Sequence, residues 1–115
     1  MGSIEERFAK GVEFKIGGRY DEAQVEFQAC IDADGCNDEA HRQLGLVYGF
    51  IGLFDESMEE LQKAIELNTM NLDARNDLAM TYAMLGMYDE AKATFQAVLE
   101  IDPENEKARK ELIYF

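Results

Sequence analysis

A unit of 34 residues occurs three times in the chain, and this repeat constrains the fold more than any other feature. Gly18, Gly52 and Gly86 are spaced by 34 residues, and the strings that begin at them are GRYDEA, GLFDES and GMYDEA. A fixed period of this length is typical of folds that stack one supersecondary unit. Other equivalent positions hold Gln28, Gln62 and Gln96; Asn37, Asn71 and Asn105; and Phe27, Leu61 and Phe95.

Each unit divides into two amphipathic segments of about 14 residues that meet at the repeated glycine, which predicts one helical hairpin per unit. Small residues at Gly11, Gly45 and Ala79, with Ala23, Ser57 and Ala91, are expected to let the helices approach closely. Pro103 is expected to end the third hairpin, and another helix should begin near Glu106. In the third unit the predicted buried positions are Leu78, Tyr82 and Leu85, then Tyr88, Ala91, Phe95 and Val98.

The charge of the chain argues against two classes of partner. Eleven basic and 24 acidic residues leave a formal charge of −13, which repels phosphate backbones and anionic lipid headgroups. The longest uncharged stretch, residues 43–54, is too short for the roughly 20 residues that span a bilayer. We therefore expect neither nucleic-acid binding nor direct membrane insertion.

The chain offers little for catalysis or metal binding. Cys30 and Cys36 are too few for a disulfide scaffold and lack the CxxC spacing of redox and zinc sites, which favours a reducing cytoplasm. Cys30, Cys36 and His41 are conceivable zinc ligands, but no fourth ligand follows, and a buried Cys30 thiol is the preferred interpretation. We predict no catalytic residue, no metal, no cofactor and no enzymatic activity.

The second and third units share one pattern of residues. It consists of Leu44, Gly45, Tyr48, Gly52, Phe54 and Ser57 in the second unit, and of Leu78, Ala79, Tyr82, Gly86, Tyr88, Ala91, Phe95 and Pro103 in the third. With this pattern the chain resembles the tetratricopeptide repeat family over residues 4–105. Departures are Arg7, His41 and Arg75 at the usual tryptophan position and Lys10 at a usual leucine. The resemblance implies an all-α, right-handed solenoid with repeats at 4–37, 38–71 and 72–105 and a partial C-terminal capping helix at 106–115.

The resemblance also implies that the first helix of each repeat lines a concave groove. Phe8, Phe50 and Met84 are expected to be exposed there, because a separate stripe fills the core; for Val12, Leu46 and Met80, core and groove are equally expected. The apolar groove positions are Phe8, Val12, Ile16, Leu46, Phe50, Met80 and Met84, and the acidic rim is Glu5, Glu39, Asp73 and Asp77. The separate core stripe consists of Phe14, Leu44, Tyr48, Leu78 and Tyr82.

One subset of the family binds the C-terminal carboxylate of chaperones through cationic and amide side chains. Asp73 and Asp77 stand where two of those cations are needed, which argues against a chaperone carboxylate and favours a basic or amphipathic partner segment. The equivalent positions of that subset are Phe8, Val12, Gln43, Asp73 and Asp77.

Two functions follow as hypotheses. The first is a non-enzymatic protein-interaction module that binds a peptide or helix of a partner in the groove. The second is a scaffold that forms homo-oligomers through its groove or its last helix. We expect Leu112 to pack near Tyr88 or Phe95, and at least one of the last residues to face outward. The self-association candidates are Leu112, Ile113, Tyr114 and Phe115.

Overall fold

The computed structural model of the chain describes residues 2–115, which form seven α-helices and confirm the predicted all-α fold. The helices pack as three hairpins, α1 with α2, α3 with α4 and α5 with α6, and α7 packs on α6. The bounds are α1 (Ile4–Ile16), α2 (Tyr20–Ala33), α3 (Asp38–Phe50), α4 (Phe54–Leu67), α5 (Leu72–Met84), α6 (Tyr88–Ile101) and α7 (Glu106–Leu112).

The repeated glycines make the turns inside the hairpins, as predicted. Gly18, Gly52 and Gly86 have φ values of 75°, 83° and 78°, a conformation that a side chain would strain. The repeated asparagines begin the helices of the next unit. The side chains of Asn37, Asn71 and Asn105 each accept a hydrogen bond of 3.0 Å from a backbone N–H three residues later.

The core runs along the seam between the helices of each hairpin and between neighbouring hairpins. Phe27, Leu61 and Phe95 are fully buried at equivalent positions of α2, α4 and α6. A small residue of the preceding helix faces each of them. A Cβ on Gly11 would lie 2.6 Å from the Phe27 ring, and one on Gly45 would lie 3.0 Å from Leu61. The close approach predicted for the small residues is therefore confirmed at these two contacts.

Several predicted core positions are more exposed than expected. Leu85 and Tyr88, at the turn of the third hairpin, lie on the surface, so their assignment to the buried stripe is wrong. Of the predicted core stripe, Leu44 and Leu78 are buried, whereas Phe14, Tyr48 and Tyr82 are only half-buried.

Candidate binding groove

An exposed apolar ridge runs across the face formed by the first helices of the hairpins. Ile16, Phe50 and Met84 occupy equivalent positions at the ends of α1, α3 and α5, and they are 79%, 60% and 65% exposed. Tyr20 stacks on Phe50 with a ring centroid distance of 5.4 Å, which holds the phenylalanine in place. Phe50 and Met84 are thus exposed as expected, and Ile16 is the most exposed of the three.

A small cavity of about 130 Å³ lies beside this ridge, between α3 and α5. Leu46 and Met80 form its apolar wall and are themselves half-buried, so they belong partly to the core and partly to the groove. Thr81 and Asp77 contribute the polar part of the wall. The complete lining consists of Leu46, Gly49, Phe50, Phe54, Ser57, Asp77, Met80, Thr81 and Met84.

Phe8 corrects the sequence-based prediction. It was expected to be exposed in the groove, but its ring packs edge-on against Phe27, with centroids 5.5 Å apart, and the side chain is half-buried. Val12 is also half-buried against the same core cluster. In the first repeat the exposed apolar groove surface is therefore mainly Ile16, because Phe8 and Val12 pack on the cluster that contains Phe27.

The acidic rim is only partly free, because a cation that the sequence analysis missed lies among its carboxylates. Arg42 Nε donates to Asp77 Oδ2 at 2.6 Å, and its Nη1 donates to Glu39 Oε2 at 3.3 Å. Asn71 Nδ2 donates to the other oxygen of Glu39 at 2.8 Å. Glu5 and Asp73 remain exposed. The rim is therefore a mixed-charge cluster with free carboxylates at its edges.

Burial and the ion pair act in opposite directions on the pKa of each partner, and both the Asp77 carboxyl and the Arg42 guanidinium end with a raised pKa. Burial raises the pKa of the Asp77 carboxyl, and the adjacent Arg42 opposes that rise without cancelling it. Burial also works against the charge of Arg42, but the attraction of Asp77 raises the pKa of the guanidinium. Arg42 lies at the position equivalent to Phe8 and Asn76, so one helix position holds three chemically different side chains. The signal that could have revealed the pair is that Arg42 and Asp77, of opposite charge and 35 residues apart, lie on neighbouring first helices.

A second cation, Lys15, reaches into the same cluster from the last turn of α1. Its Nζ donates to Gln43 Oε1, and the side chain is half-buried. Burial lowers the pKa of the Lys15 ammonium, and the nearby Arg42 lowers it further, while Asp77 and Glu39 act in the opposite direction. Gln43 is buried, so this hydrogen bond links the last turn of α1 to α3.

The two cysteines and the histidine, which the sequence offered as conceivable zinc ligands, have different surroundings in the structure. Cys30 is buried, as preferred in the sequence analysis, and Cys36 is exposed. His41 is buried, with Nδ1 at 3.0 Å from Glu60 Oε1 and Nε2 at 3.1 Å from the Gly35 carbonyl oxygen. Within residues 2–115, no group of three or more His, Cys, Asp or Glu side chains is placed to hold a metal ion. Nor does any helix in that range have the length and apolarity to cross a membrane.

The last residues divide between the core and the surface. Leu112 and Phe115 are half-buried and pack on the cluster that contains Phe95, as expected for Leu112. The Phe115 ring lies 6.1 Å from that of Phe95 and 6.2 Å from that of Tyr88, centroid to centroid. Ile113 and Tyr114 are largely exposed. The prediction that one of the last residues faces outward is confirmed, whereas Leu112 and Phe115 are mostly engaged within the chain.

Comparison with protein families gives one match, the tetratricopeptide repeat, over residues 52–113, which is more than half of the chain. A comparison with curated protein sequences gives no match. The family match covers the turn of the second hairpin, α4, all of the third hairpin and α7.

Solved structures with the same architecture cover nearly the whole chain. The first TPR of Spaghetti (RPAP3), bound to the HSP90 peptide SRMEEVD, is 26% identical, with a TM-score of 0.88 over 96% of this chain and 88% of that one. The second TPR domain of human RPAP3, in complex with the HSP70 peptide SGPTIEEVD, is 26% identical, with a TM-score of 0.85 over 97% of each chain. The Arabidopsis OM64 TPR domain is 22% identical, with a TM-score of 0.87 over 96% of this chain and 94% of that one, and supports the fold alone.

Proposed function

Because the chain belongs to the tetratricopeptide repeat family, whose domains are protein-interaction modules, we propose that it binds a segment of another protein in the groove lined by α1, α3 and α5. The module acts by binding alone and has no enzymatic activity. The observation that carries this proposal is the exposed ridge of Ile16, Phe50 and Met84 beside an apolar cavity. An exposed apolar patch of this kind marks an interaction surface.

The size of the cavity favours a protein partner over a small molecule. At about 130 Å³ it is well below the roughly 300–1,000 Å³ of pockets that enclose drug-sized ligands. A single apolar side chain of a peptide or helix fits this scale. Met80 and Met84 line the cavity, and methionine adapts its shape to different apolar groups. The partner segment therefore inserts one apolar side chain here and lays others along the ridge.

The charges favour a segment that carries basic residues and disfavour a chaperone carboxylate. Asp73 and Glu5 are exposed at the edges of the groove, and the chain has a net charge of −13. Two structural neighbours hold chaperone peptides, but this chain has Asp73 and Asp77 where the carboxylate-binding subset of the family needs cations. We place the module in the cytoplasm, since Cys30 and Cys36 are unpaired.

The test takes candidate partner segments from a random peptide library and not from a cell lysate. Peptides are selected from a random display library on the intact chain and are then synthesised with an amidated C-terminus. Their dissociation constants are measured for the wild type, a ridge variant and a control variant. Phe50→Glu with Met84→Glu changes the ridge. Val25→Glu with Met70→Glu is the matched control, since these two side chains, each 63% exposed, lie outside the groove and the charge change is the same.

We expect the ridge variant to weaken binding by about ten-fold or more, because two carboxylates would be desolvated against apolar groups, and the control to change it by less than about two-fold. Melting temperatures of both variants should stay close to that of the wild type. The proposed groove would be contradicted if both variants weakened peptide binding equally, or if the ridge variant bound the selected peptides as tightly as the wild type does.

A second candidate function is self-assembly, which the exposure of Ile113 and Tyr114 favours. A contact between these residues and the ridge of another copy would be head-to-tail and would build chains or rings. Molar mass measured over a range of protein concentrations tests it directly. A mass that rises with concentration in the wild type and not in Ile113→Glu with Tyr114→Glu would support assembly, and a constant monomer mass would exclude it.

A further inference from the structure

The polar cluster in the groove contains one cation whose partner is neutral. Arg42 is paired with both Asp77 and Glu39, and Glu39 also accepts from Asn71. Lys15 is close enough to these charges to be affected by them, but its hydrogen bond goes to the amide oxygen of Gln43. Among residues 2–115, no carboxylate lies within ion-pair distance of the Lys15 ammonium. The two carboxylates that act on its pKa, Asp77 and Glu39, already accept hydrogen bonds from Arg42, and Glu39 accepts one from Asn71 as well.

The position of Lys15 in the repeat explains why it has room for a ligand group. Gly49 and Ala83 occupy the equivalent positions of α3 and α5, so Lys15 is the one long side chain in this row. It directly precedes Ile16, the first member of the exposed ridge, and the groove cavity between α3 and α5 is lined in part by Gly49. A charged group of a partner at Lys15 would therefore lie next to the apolar contacts.

The energetics favour a carboxylate at this point. An ammonium group has three donors, and Gln43 uses one of them. Lys15 is half-buried, so its interaction with a carboxylate is screened less than on an open surface. Burial and Arg42 work against the ammonium charge, and Asp77 and Glu39 offset part of that effect. A hydrogen bond between two ionised groups is stronger than one to a neutral amide.

We propose that Lys15 determines specificity by binding an aspartate or glutamate side chain of the partner segment, beside the apolar residue that packs on the ridge. This inference rests on the proposed function of the groove. Together with the exposed Asp73 in the first turn of α5, it gives the segment a direction. Its acidic residue lies at the last turn of α1, and its basic residues lie near the first turns of α1 and α5, which carry Glu5 and Asp73.

A double-mutant cycle tests the proposal with the amidated peptides selected on the intact chain. Amidation removes the terminal carboxylate, so that any acidic dependence comes from a side chain. In a selected peptide that contains glutamate, the glutamate is replaced by glutamine. Both peptides are then measured on the wild type, on Lys15→Met, which keeps the length of the side chain, and on Lys15→Arg, which keeps the charge. The free-acid form of each peptide shows whether a chain terminus competes for the site.

We expect the glutamine peptide to bind the wild type about ten-fold more weakly than the glutamate peptide. On Lys15→Met the dissociation constants of the two peptides should differ by less than about two-fold. Lys15→Arg should keep the preference for glutamate. The role of Lys15 would be overturned if Lys15→Met kept the ten-fold preference for the glutamate peptide, or if ridge-dependent peptides carried no acidic residue. Neither result would contradict the proposed binding groove. A preference that appears only with the free-acid peptides would also overturn it, in favour of a terminal carboxylate. Peptides that do not depend on Phe50 and Met84 would overturn the groove as well.

Discussion

Two sets of apolar residues repeat every 34 residues and have opposite surroundings. Phe27, Leu61 and Phe95 are fully buried in the seams of the three hairpins. The residues of the ridge, Ile16, Phe50 and Met84, are all more than half exposed. The period identifies equivalent positions, but it does not say whether a position faces a neighbouring helix or the groove.

The difference follows from what covers each position. The buried set faces small residues of the preceding helix, and a Cβ on Gly11 would already collide with Phe27. The ridge lies at the ends of the first helices, where the chain turns at a glycine and the next helix packs on the other side. Apolar residues in the first set stabilise the fold, whereas those in the second are available to a partner.

The largest expected effect contrasts one member of each set. Phe95→Ala should lower the free energy of unfolding by about 3 kcal/mol, because it leaves a cavity in a closed core. Met84→Ala should lower it by less than about 0.5 kcal/mol, since the side chain is mostly in water. Denaturant melts of both variants measure the difference. Similar losses in the two variants would mean that the assigned register of α5 and α6 is wrong.

The same contrast should appear on a smaller scale at the end of the chain. Leu112→Ala with Phe115→Ala should cost about 2 kcal/mol, because both side chains pack partly against the Phe95 cluster. Ile113→Ala with Tyr114→Ala is the control and should cost less than about 0.5 kcal/mol. Thermal or denaturant unfolding separates the two pairs. If the pairs were equal, α7 would not pack on α6 as described.

A methyl group added to the buried seam tests its tightness. Gly11→Ala should destabilise the chain by roughly 1 kcal/mol, since the strain against the Phe27 ring exceeds the gain in helix propensity. Gly17→Ala, in the same hairpin, is the control. Its φ is −80° and the nearest atom to an added Cβ lies 3.4 Å away, so we expect a change within about 0.5 kcal/mol. A stabilised Gly11→Ala variant would show that the seam is looser than described.

The smallest expected effect concerns Asp77, which lies between the core and the groove. Burial raises its pKa in the folded protein above the ordinary value of about 3.9, so the folded state takes up this proton at a higher pH than the unfolded state. As the pH falls through the raised pKa, Asp77 therefore adds to stability. In Asp77→Asn this contribution is absent, and the stability of the wild type relative to the variant should increase on acidification. Denaturant melts at neutral and mildly acidic pH measure it, and a relative decrease would show that Arg42 dominates over burial.

Much of the fold could be predicted from the sequence, because the turn glycines and the apolar spacing are local and periodic. Phe50 and Met84 were also placed correctly as exposed. Phe8 was not, because its burial depends on the contact of its ring with Phe27 of α2, which only the packed helices show. Arg42 and Lys15 were missed because the equivalent residues of the other repeats are uncharged, and only the packed helices bring these two to Asp77 and Gln43.

The central claim is that the ridge and its cavity hold a partner segment, and methyl NMR of the intact chain tests it most directly. Isoleucine and methionine methyl groups are labelled, and an amidated peptide selected on the chain is added. The account predicts that the largest shifts occur at Ile16, Met80 and Met84, with little change at Met70 and Ile101, which lie elsewhere on the surface. Shifts concentrated at Met70, Ile101 or Ile113, with the ridge methyl groups unmoved, would contradict it.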